Sequence, residues 1–159
     1  MNLDSNDQTE DAAAEFVAAI RLISPPRLCI WLIGELGVGK TTFCRGFLRA
    51  FGHSERVPSP TYTLIEPYSY AGYQIYHLDL YRLVDSAEIE FLGIDAIWEN
   101  HSLLLVEWPE NAVEGLPEPD LKLSFQFNQS GNDARKLICE PKTSLGSALV
   151  KELSIPYQT

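Results

Sequence analysis

The sequence predicts a single α/β domain spanning residues 1–159, with a mixed sheet of parallel core strands and an antiparallel edge hairpin, and helices on both faces. Two continuous apolar runs, 28–33 and 103–106, are typical of strands buried on both faces of a parallel sheet. Segments with helical periodicity flank the first run. The segments 121–127 and 134–140 alternate apolar and polar residues, as hairpin strands do. We place the core at about 7–140 and a closing helix at about 143–153.

The first half predicts a helix, a strand and a second helix. The first helix, 7–23, opens with Asp7 and Glu10 at capping-box spacing and ends before Pro25. The strand 28–33 follows, then a glycine-rich loop, then a helix from Lys40 that ends at Gly52. The apolar positions that recur at helical period are Ala13, Phe16, Val17, Ile20 and Ile23 in the first helix and Phe43, Phe47 and Phe51 in the second.

The second half predicts a hairpin, a short helix, a buried strand and the edge hairpin. Two strands within 61–81 turn near Ala71 and Gly72, and 86–93 is a short helix ended by glycine. The strand 103–106 ends at Glu107, and 121–127 pairs with 134–140 across 128–133. The stretch before Asp7 is short, so the sequence does not decide whether the chain begins with an edge strand.

The glycine-rich loop, "GELGVGKTT", matches a phosphate-binding P-loop at Gly34, Gly39, Lys40 and Thr41. In that motif backbone N–H groups wrap the phosphates, the lysine reaches the β and γ oxygens, and the hydroxyl ligates Mg²⁺. The alternative is a glycine-rich turn without a ligand. The buried strand before the loop and the helix after it favour the P-loop.

Two carboxylates at strand ends are candidates for the acid that a P-loop site requires. Glu107 follows the strand 103–106 and is the principal candidate, the alternative being a surface carboxylate. Asp79 lies in "HLDLYR" and is a candidate for a water-mediated magnesium contact. Its alternative is a structural group paired with His77 and Arg82.

The segment 54–63, "SERVPSPTYT", occupies the place of a switch loop, with hydroxyls at Ser59, Thr61 and Thr63 able to sense a γ-phosphate. An ordinary proline-stiffened loop is the alternative. The guanine signature NKxD and the switch motif DxxG do not occur, which argues against a GTPase. A small-molecule kinase is the weaker interpretation, since no arginine-bearing, glycine-rich lid stands out.

The net charge of −10 argues against direct, tight nucleic-acid binding and favours a basic protein partner. We expect a cytoplasmic chain, since no run approaches the ~18 apolar residues of a membrane span. We also expect the chain to be monomeric when alone. The three cysteines, Cys29, Cys44 and Cys139, lie in apolar segments and are expected to be buried, reduced thiols.

Together, "GELGVGKTTFCRGFL", "SPTYTLIEPY", "YHLDLYRL", "EIEFLGID" and "LLLVEWPE" resemble the TsaE family, also called YjeE, from about Asp7 to Glu140. The resemblance implies an ATPase required for N6-threonylcarbamoylation of adenosine 37 in ANN-decoding tRNAs. It implies that the chain uses ATP and Mg²⁺ in complex with the TsaB–TsaD heterodimer. ATP hydrolysis would reset that complex between turnovers. Transfer of the threonylcarbamoyl group would belong to TsaD. A kinase, or a nucleotide-gated binding module without turnover, remains the alternative.

Carried over by position, the resemblance implies catalytic roles for Lys40, Asp79 and Glu107, and metal contacts from Thr41, Asp79 and Glu107. Glu35 and Val38 stand where the family often has Asp and Ala. The nucleotide would be bound by Gly34, Glu35, Leu36, Gly37, Val38, Gly39, Lys40, Thr41, Thr42, Ser59, Thr61 and Trp108.

Overall fold

The structure is a computed structural model, and it describes residues 1–99, 101–128 and 134–153, without the side chains of Ser86 and Ala87. Within these ranges the strands are β1 (Asn2–Leu3), β2 (Arg27–Ile33), β3 (Ile65–Tyr70), β4 (Tyr73–Asp79), β5 (Ser102–Glu107), β6 (Leu121–Phe127) and β7 (Arg135–Pro141). The α-helices are α1 (Asn6–Ile23), α2 (Lys40–Phe51), α3 (Ile94–Ile97) and α4 (Ser144–Glu152). Short 3-10 helices span Ser86–Leu92, Pro109–Asn111 and Val113–Gly115.

All seven of these strands form one sheet in the order β1-β7-β6-β2-β5-β4-β3. The central strands β6, β2, β5 and β4 run parallel to one another, whereas β3 is antiparallel to β4 and β7 is antiparallel to β6. This confirms the predicted mixed sheet with a parallel core. The edge hairpin is β6–β7, although residues 129–133 of its predicted turn lie outside the described part of the chain. The two-residue β1 pairs with β7 and forms the edge strand that the sequence left open.

Helices cover both faces, as predicted, but unequally. One face packs against the long helices α1 and α2 and against α4, and Phe43 of α2 lies edge-on to Phe16 and Phe125 at centroid distances of 5.5 and 5.8 Å. The other face carries a smaller core, where Trp31 packs with Ile89 and Ile94 from the 3-10 segment and α3. Among the described residues, no helix has the length and apolar character needed to cross a membrane.

The beginning of α1 differs from the prediction. The N-cap is Ser5, which has an extended backbone (φ −153°) and whose hydroxyl oxygen accepts the N–H of Gln8 at 3.2 Å. The predicted capping box at Asp7 and Glu10 is therefore wrong. Asp7 lies in the first turn of the helix, where its negative charge faces the positive end of the helix dipole.

The predicted short helix at 86–93 forms as the 3-10 turn Ser86–Leu92, and α3 follows Gly93. The closing helix forms within its predicted range, with Thr143 as N-cap accepting the N–H of Gly146 at 3.1 Å. The register of the parallel strands places Leu32 of β2 opposite Glu107, and Glu107 opposite Asp79. The carboxyl ends of β2, β5 and β4 therefore meet at one edge of the sheet, where the glycine-rich loop begins.

Candidate functional site

The glycine-rich loop joins the end of β2 directly to the beginning of α2. Gly34 has a φ of +144°, and a Cβ atom there would lie 2.4 Å from the carbonyl oxygen of Phe125, so the loop passes against β6 at a point that only glycine permits. Gly39, at φ +114°, precedes the first residue of α2, and no side chain caps that helix. The N–H groups at the amino end of α2 are therefore available to an anion.

Lys40 is folded onto the loop. Its Nζ donates hydrogen bonds to the carbonyl oxygens of Gly34 at 2.6 Å and Glu35 at 3.0 Å, and it lies 3.9 Å from the centre of the Trp108 ring. The residue is only 4% exposed. Burial lowers the pKa of Lys40, and the nearby carboxylates of Glu107, Glu110 and Asp79 oppose that shift. A phosphate would replace carbonyl acceptors that the lysine already has.

Glu107 is the last residue of β5 and is only 2% exposed, so the alternative of a surface carboxylate is wrong. The Thr41 hydroxyl donates to its carboxylate, at 2.9 Å from Oε1 and 3.1 Å from Oε2. On the other side, the Nε2 of His77 lies 2.8 Å from Oε1. The acid is thus held between the first turn of α2 and the buried side of β4.

Asp79 is the last residue of β4 and is 3% exposed. Its Oδ2 accepts hydrogen bonds from the hydroxyls of Ser59 at 2.9 Å and Thr61 at 2.6 Å, and its Oδ1 accepts the N–H of Tyr81 at 3.1 Å. The alternative partners do not fit: His77 contacts Glu107, and the Arg82 guanidinium lies 4.1 Å from the centre of the Tyr62 ring. Asp79 therefore ties the end of β4 to the segment 54–63.

A cleft of about 230 Å³ brings most of the predicted site residues together. They are Leu36, Gly37, Gly39, Lys40, Thr41, Thr42, Ser59, Thr61, Asp79, Glu107 and Trp108. The carbonyls of Gly34 and Glu35 contact Lys40 instead, and the side chain of Val38 is buried in the core. The hydroxyl of Thr63 donates a hydrogen bond to Oε1 of Glu66 at 2.8 Å.

The oxygen donors in this cleft suit Mg²⁺, a hard cation that prefers few protein oxygens and retains waters. Thr41 and Glu107 are within hydrogen-bond distance of each other, so one small cation can reach both. Asp79 lines the same cleft from the neighbouring strand. These three residues could hold the ion.

Sequence reasoning missed four residues around the cleft. Tyr81 and Arg82 line it, with the Tyr81 ring 5.0 Å from that of Trp108, and His77 lies behind Glu107. Arg135 is 8% exposed and lies beside the loop, with its Cδ 3.3 Å from the position of a Cβ on Gly39. The clue to His77 was that it lies two residues before Asp79 and therefore on the same face of the strand. The sequence around Arg135 carried no such clue.

The cysteines are free and buried, as expected. Burial raises the pKa of the Cys139 thiol to about 12, and it also raises the pKa of Cys29. Cys44 lies within 4.8 Å of the donor atoms of His77 and Glu107, where burial, and then the charge of Glu107, raise its pKa well above the ordinary value. These thiols stay protonated at neutral pH, which argues against reactive or metal-binding thiolates.

Comparison with known proteins identifies the family. The family model "Threonylcarbamoyl adenosine biosynthesis protein TsaE" matches residues 3–137. The tRNA threonylcarbamoyladenosine biosynthesis protein TsaE of Haemophilus influenzae is 41% identical over 135 residues, covering 85% of this chain and 84% of the relative. The TsaE of Bacillus subtilis is 34% identical, covering 94% and 90%. A crystal structure of YdiB from Bacillus subtilis superposes with a TM-score of 0.75 at 28% identity, covering 97% of this chain and 92% of the other. The chain belongs to the TsaE family.

Proposed function

We propose that this chain is the ATPase subunit required for N6-threonylcarbamoylation of adenosine 37 in ANN-decoding tRNAs, and that it hydrolyses ATP in complex with TsaB–TsaD to reset that enzyme. One observation carries the proposal: Lys40 and Thr41 of the glycine-rich loop share a cleft with Glu107 and Asp79, two buried acids at the ends of adjacent strands. Membership of the TsaE family supplies the pathway.

Lys40 and the loop would bind the triphosphate. The Lys40 ammonium would exchange the carbonyl oxygens of Gly34 and Glu35 for β and γ phosphate oxygens, while loop N–H groups and the uncapped amino end of α2 bind the remaining charge. Trp108 lies over the ammonium and would have to move aside or follow it. Binding therefore changes the surroundings of an indole ring.

Thr41, Glu107 and Asp79 would hold Mg²⁺, which when bound neutralises charge on the transferring phosphoryl group. The Thr41 hydroxyl would give up its hydrogen bond to Glu107, and the Thr41 oxygen would then be available to the ion. We assign Glu107 the main catalytic role, since its buried carboxylate lies next to the loop and can orient the attacking water. Asp79 would act on the ion indirectly, because its Oδ2 already accepts hydrogen bonds from two hydroxyls.

Asp79 would also connect the nucleotide to the partner. Its bonds to Ser59 and Thr61 make the segment 54–63 sensitive to what lies in the cleft. With a net charge of −10, the chain would dock on a basic surface of TsaB–TsaD and make no tight contact with tRNA. We place this activity in the cytoplasm, with the chain monomeric when alone.

The test is phosphate release by the purified chain with and without TsaB–TsaD. We expect slow turnover alone and a several-fold rise with the heterodimer, with ADP and inorganic phosphate as products. Alanine substitution of Ser59 or Thr61 should blunt the rise and leave ATP binding in place. Because exposed charges are screened by salt, association should weaken as ionic strength rises.

The alternatives give different results. A nucleotide-gated binding module would associate with TsaB–TsaD in ATP without extra phosphate release. A small-molecule kinase would transfer phosphate to an acceptor, with the heterodimer irrelevant. Phosphate release that is indifferent to TsaB–TsaD at every salt concentration, with no complex on gel filtration in ATP, would contradict the proposal.

A further inference from the structure

His77 is a fully buried imidazole at the back of the cleft. It lies on β4, is 0% exposed, and places Nε2 at 2.8 Å from Oε1 of Glu107. It does not line the cleft itself. A polar side chain enclosed this completely is costly unless its contacts compensate, so the bond to Glu107 is the interaction that accounts for its place in the fold.

The hydrogen of this bond belongs to Nε2. A carboxylate only accepts hydrogen bonds, so an ionised Glu107 requires an N–H on the nitrogen that faces it. The other ring nitrogen, Nδ1, is buried and has no hydrogen-bond partner among the described residues. A hydrogen there would be left without an acceptor, whereas a bare Nδ1 loses less. The geometry therefore favours a hydrogen on Nε2 of His77.

Glu107 has donors on both sides in the free protein, but they are not equivalent. The Thr41 hydroxyl contacts both carboxylate oxygens from the cleft side, where the nucleotide and metal would compete for it. The His77 bond comes from the buried side and ends on Oε1 alone. When Thr41 turns to another partner, His77 still fixes the carboxylate through Oε1 and leaves Oε2 available to other groups.

We propose that His77 is a positioning residue that holds Glu107 by a buried Nε2–H···Oε1 hydrogen bond, so that the remaining carboxylate oxygen keeps the orientation needed for hydrolysis. The inference rests on the proposed ATPase function and adds a residue to it. A group that orients an acid acts mainly in the transition state, so its loss lowers kcat more than it weakens ATP binding.

The test compares His77→Gln with His77→Asn, measured as kcat and ATP affinity in the presence of TsaB–TsaD. Glutamine carries its amide nitrogen about where Nε2 lies, whereas the shorter asparagine carries it about where Nδ1 lies and cannot reach Glu107. Both place an amide in the same buried position, so they share any general cost to the fold. We expect His77→Asn to lower kcat at least tenfold with ATP affinity nearly unchanged, and His77→Gln to restore most of that loss.

A double-mutant cycle shows whether the effect passes through Glu107. His77→Asn should lower kcat in the wild-type background but add little, less than about twofold, to Glu107→Ala. Equal turnover for the asparagine and glutamine variants, or a full additional loss in the Glu107→Ala background, would overturn the proposed role of His77. The proposed ATPase function would still stand. A wild-type chain that releases no phosphate with TsaB–TsaD would overturn the proposed function, and this inference with it.

A measurement on the wild-type protein remains decisive if the variants fail to fold. Long-range ¹⁵N–¹H correlation spectra report which ring nitrogen of each histidine carries the hydrogen. We expect His77 as the Nε2–H tautomer, both free and with ADP and Mg²⁺. A hydrogen on Nδ1 alone would leave no donor facing Glu107 and would overturn the inference.

Discussion

Replacing Lys40 with methionine removes the cation from the loop and keeps an unbranched side chain of similar length. In the free protein this cation donates to two carbonyl oxygens, at 2.6 and 3.0 Å, and lies over Trp108. A bound triphosphate would replace those acceptors with charged oxygens. Since a hydrogen bond to a charged group contributes about 1.5–3 kcal/mol, losing one or two, less the bonds given up to the carbonyls, gives about 2–4 kcal/mol.

That free energy corresponds to a loss of about 30- to 900-fold in affinity for a triphosphate. Isothermal titration calorimetry with a non-hydrolysable ATP analogue and Mg²⁺ measures it. Lys151→Met is the matched control, because it removes the same charge from an exposed position near the end of α4 and should leave affinity unchanged. Unchanged affinity in Lys40→Met would refute the phosphate-loop interpretation and favour a glycine-rich turn without a ligand.

Three further predictions concern catalysis, packing and thiol chemistry. Glu107→Ala should bind ATP but barely hydrolyse it; loss of turnover in Asp79→Ala with near-normal turnover in Glu107→Ala would reverse our assignment of the principal acid. Gly46→Ala should lower the free energy of unfolding, measured in urea, by at least about 2 kcal/mol, because its Cβ would lie 2.5 Å from the Cα of Glu10. Gly72→Ala, with φ +83° but nothing within 4 Å, should cost only about 1 kcal/mol, and equal losses would contradict this packing argument. All three cysteines should react with a thiol reagent only after unfolding, since burial raises their pKa values; rapid labelling of the native protein would show that they are accessible.

The parallel core could be predicted because its signals are local. A strand buried on both faces is apolar throughout, and the loop between β2 and α2 is a short pattern of glycines, lysine and threonine. The same holds for the β6–β7 hairpin, whose strands alternate cleanly. Each of these elements is determined by its own residues, so sequence reasoning places it within a residue or two.

The features that sequence reasoning left undecided or placed wrongly depend on distant partners or on competition between neighbours. The strand β1 has only two residues and exists because β7 offers them an edge. Ser5 caps α1 in place of Asp7, since several residues in "DSNDQTE" can serve as a cap and only the path of the chain selects one. Sequence alone could not distinguish between them.

The interior of the site was equally hidden. That His77 bonds to Glu107 depends on the register between β4 and β5, which the sequence does not reveal. That Lys40 lies under Trp108 depends on the left-handed backbone of Trp108, with φ 57°, immediately after β5. The motifs and the family resemblance indicated the residues that line the cleft, whereas the hydrogen-bond partner of each depends on strand pairing.

The most direct test of the account is the number of adenosines modified by each TsaB–TsaD heterodimer in a reconstituted reaction with an ANN-decoding tRNA and ATP. If, as we propose, hydrolysis at Glu107 resets the enzyme, the wild-type chain should support many modifications per heterodimer. Glu107→Ala, which should still bind ATP, should support about one. Repeated modification with Glu107→Ala at the wild-type level would contradict the claim that hydrolysis in this cleft resets the enzyme.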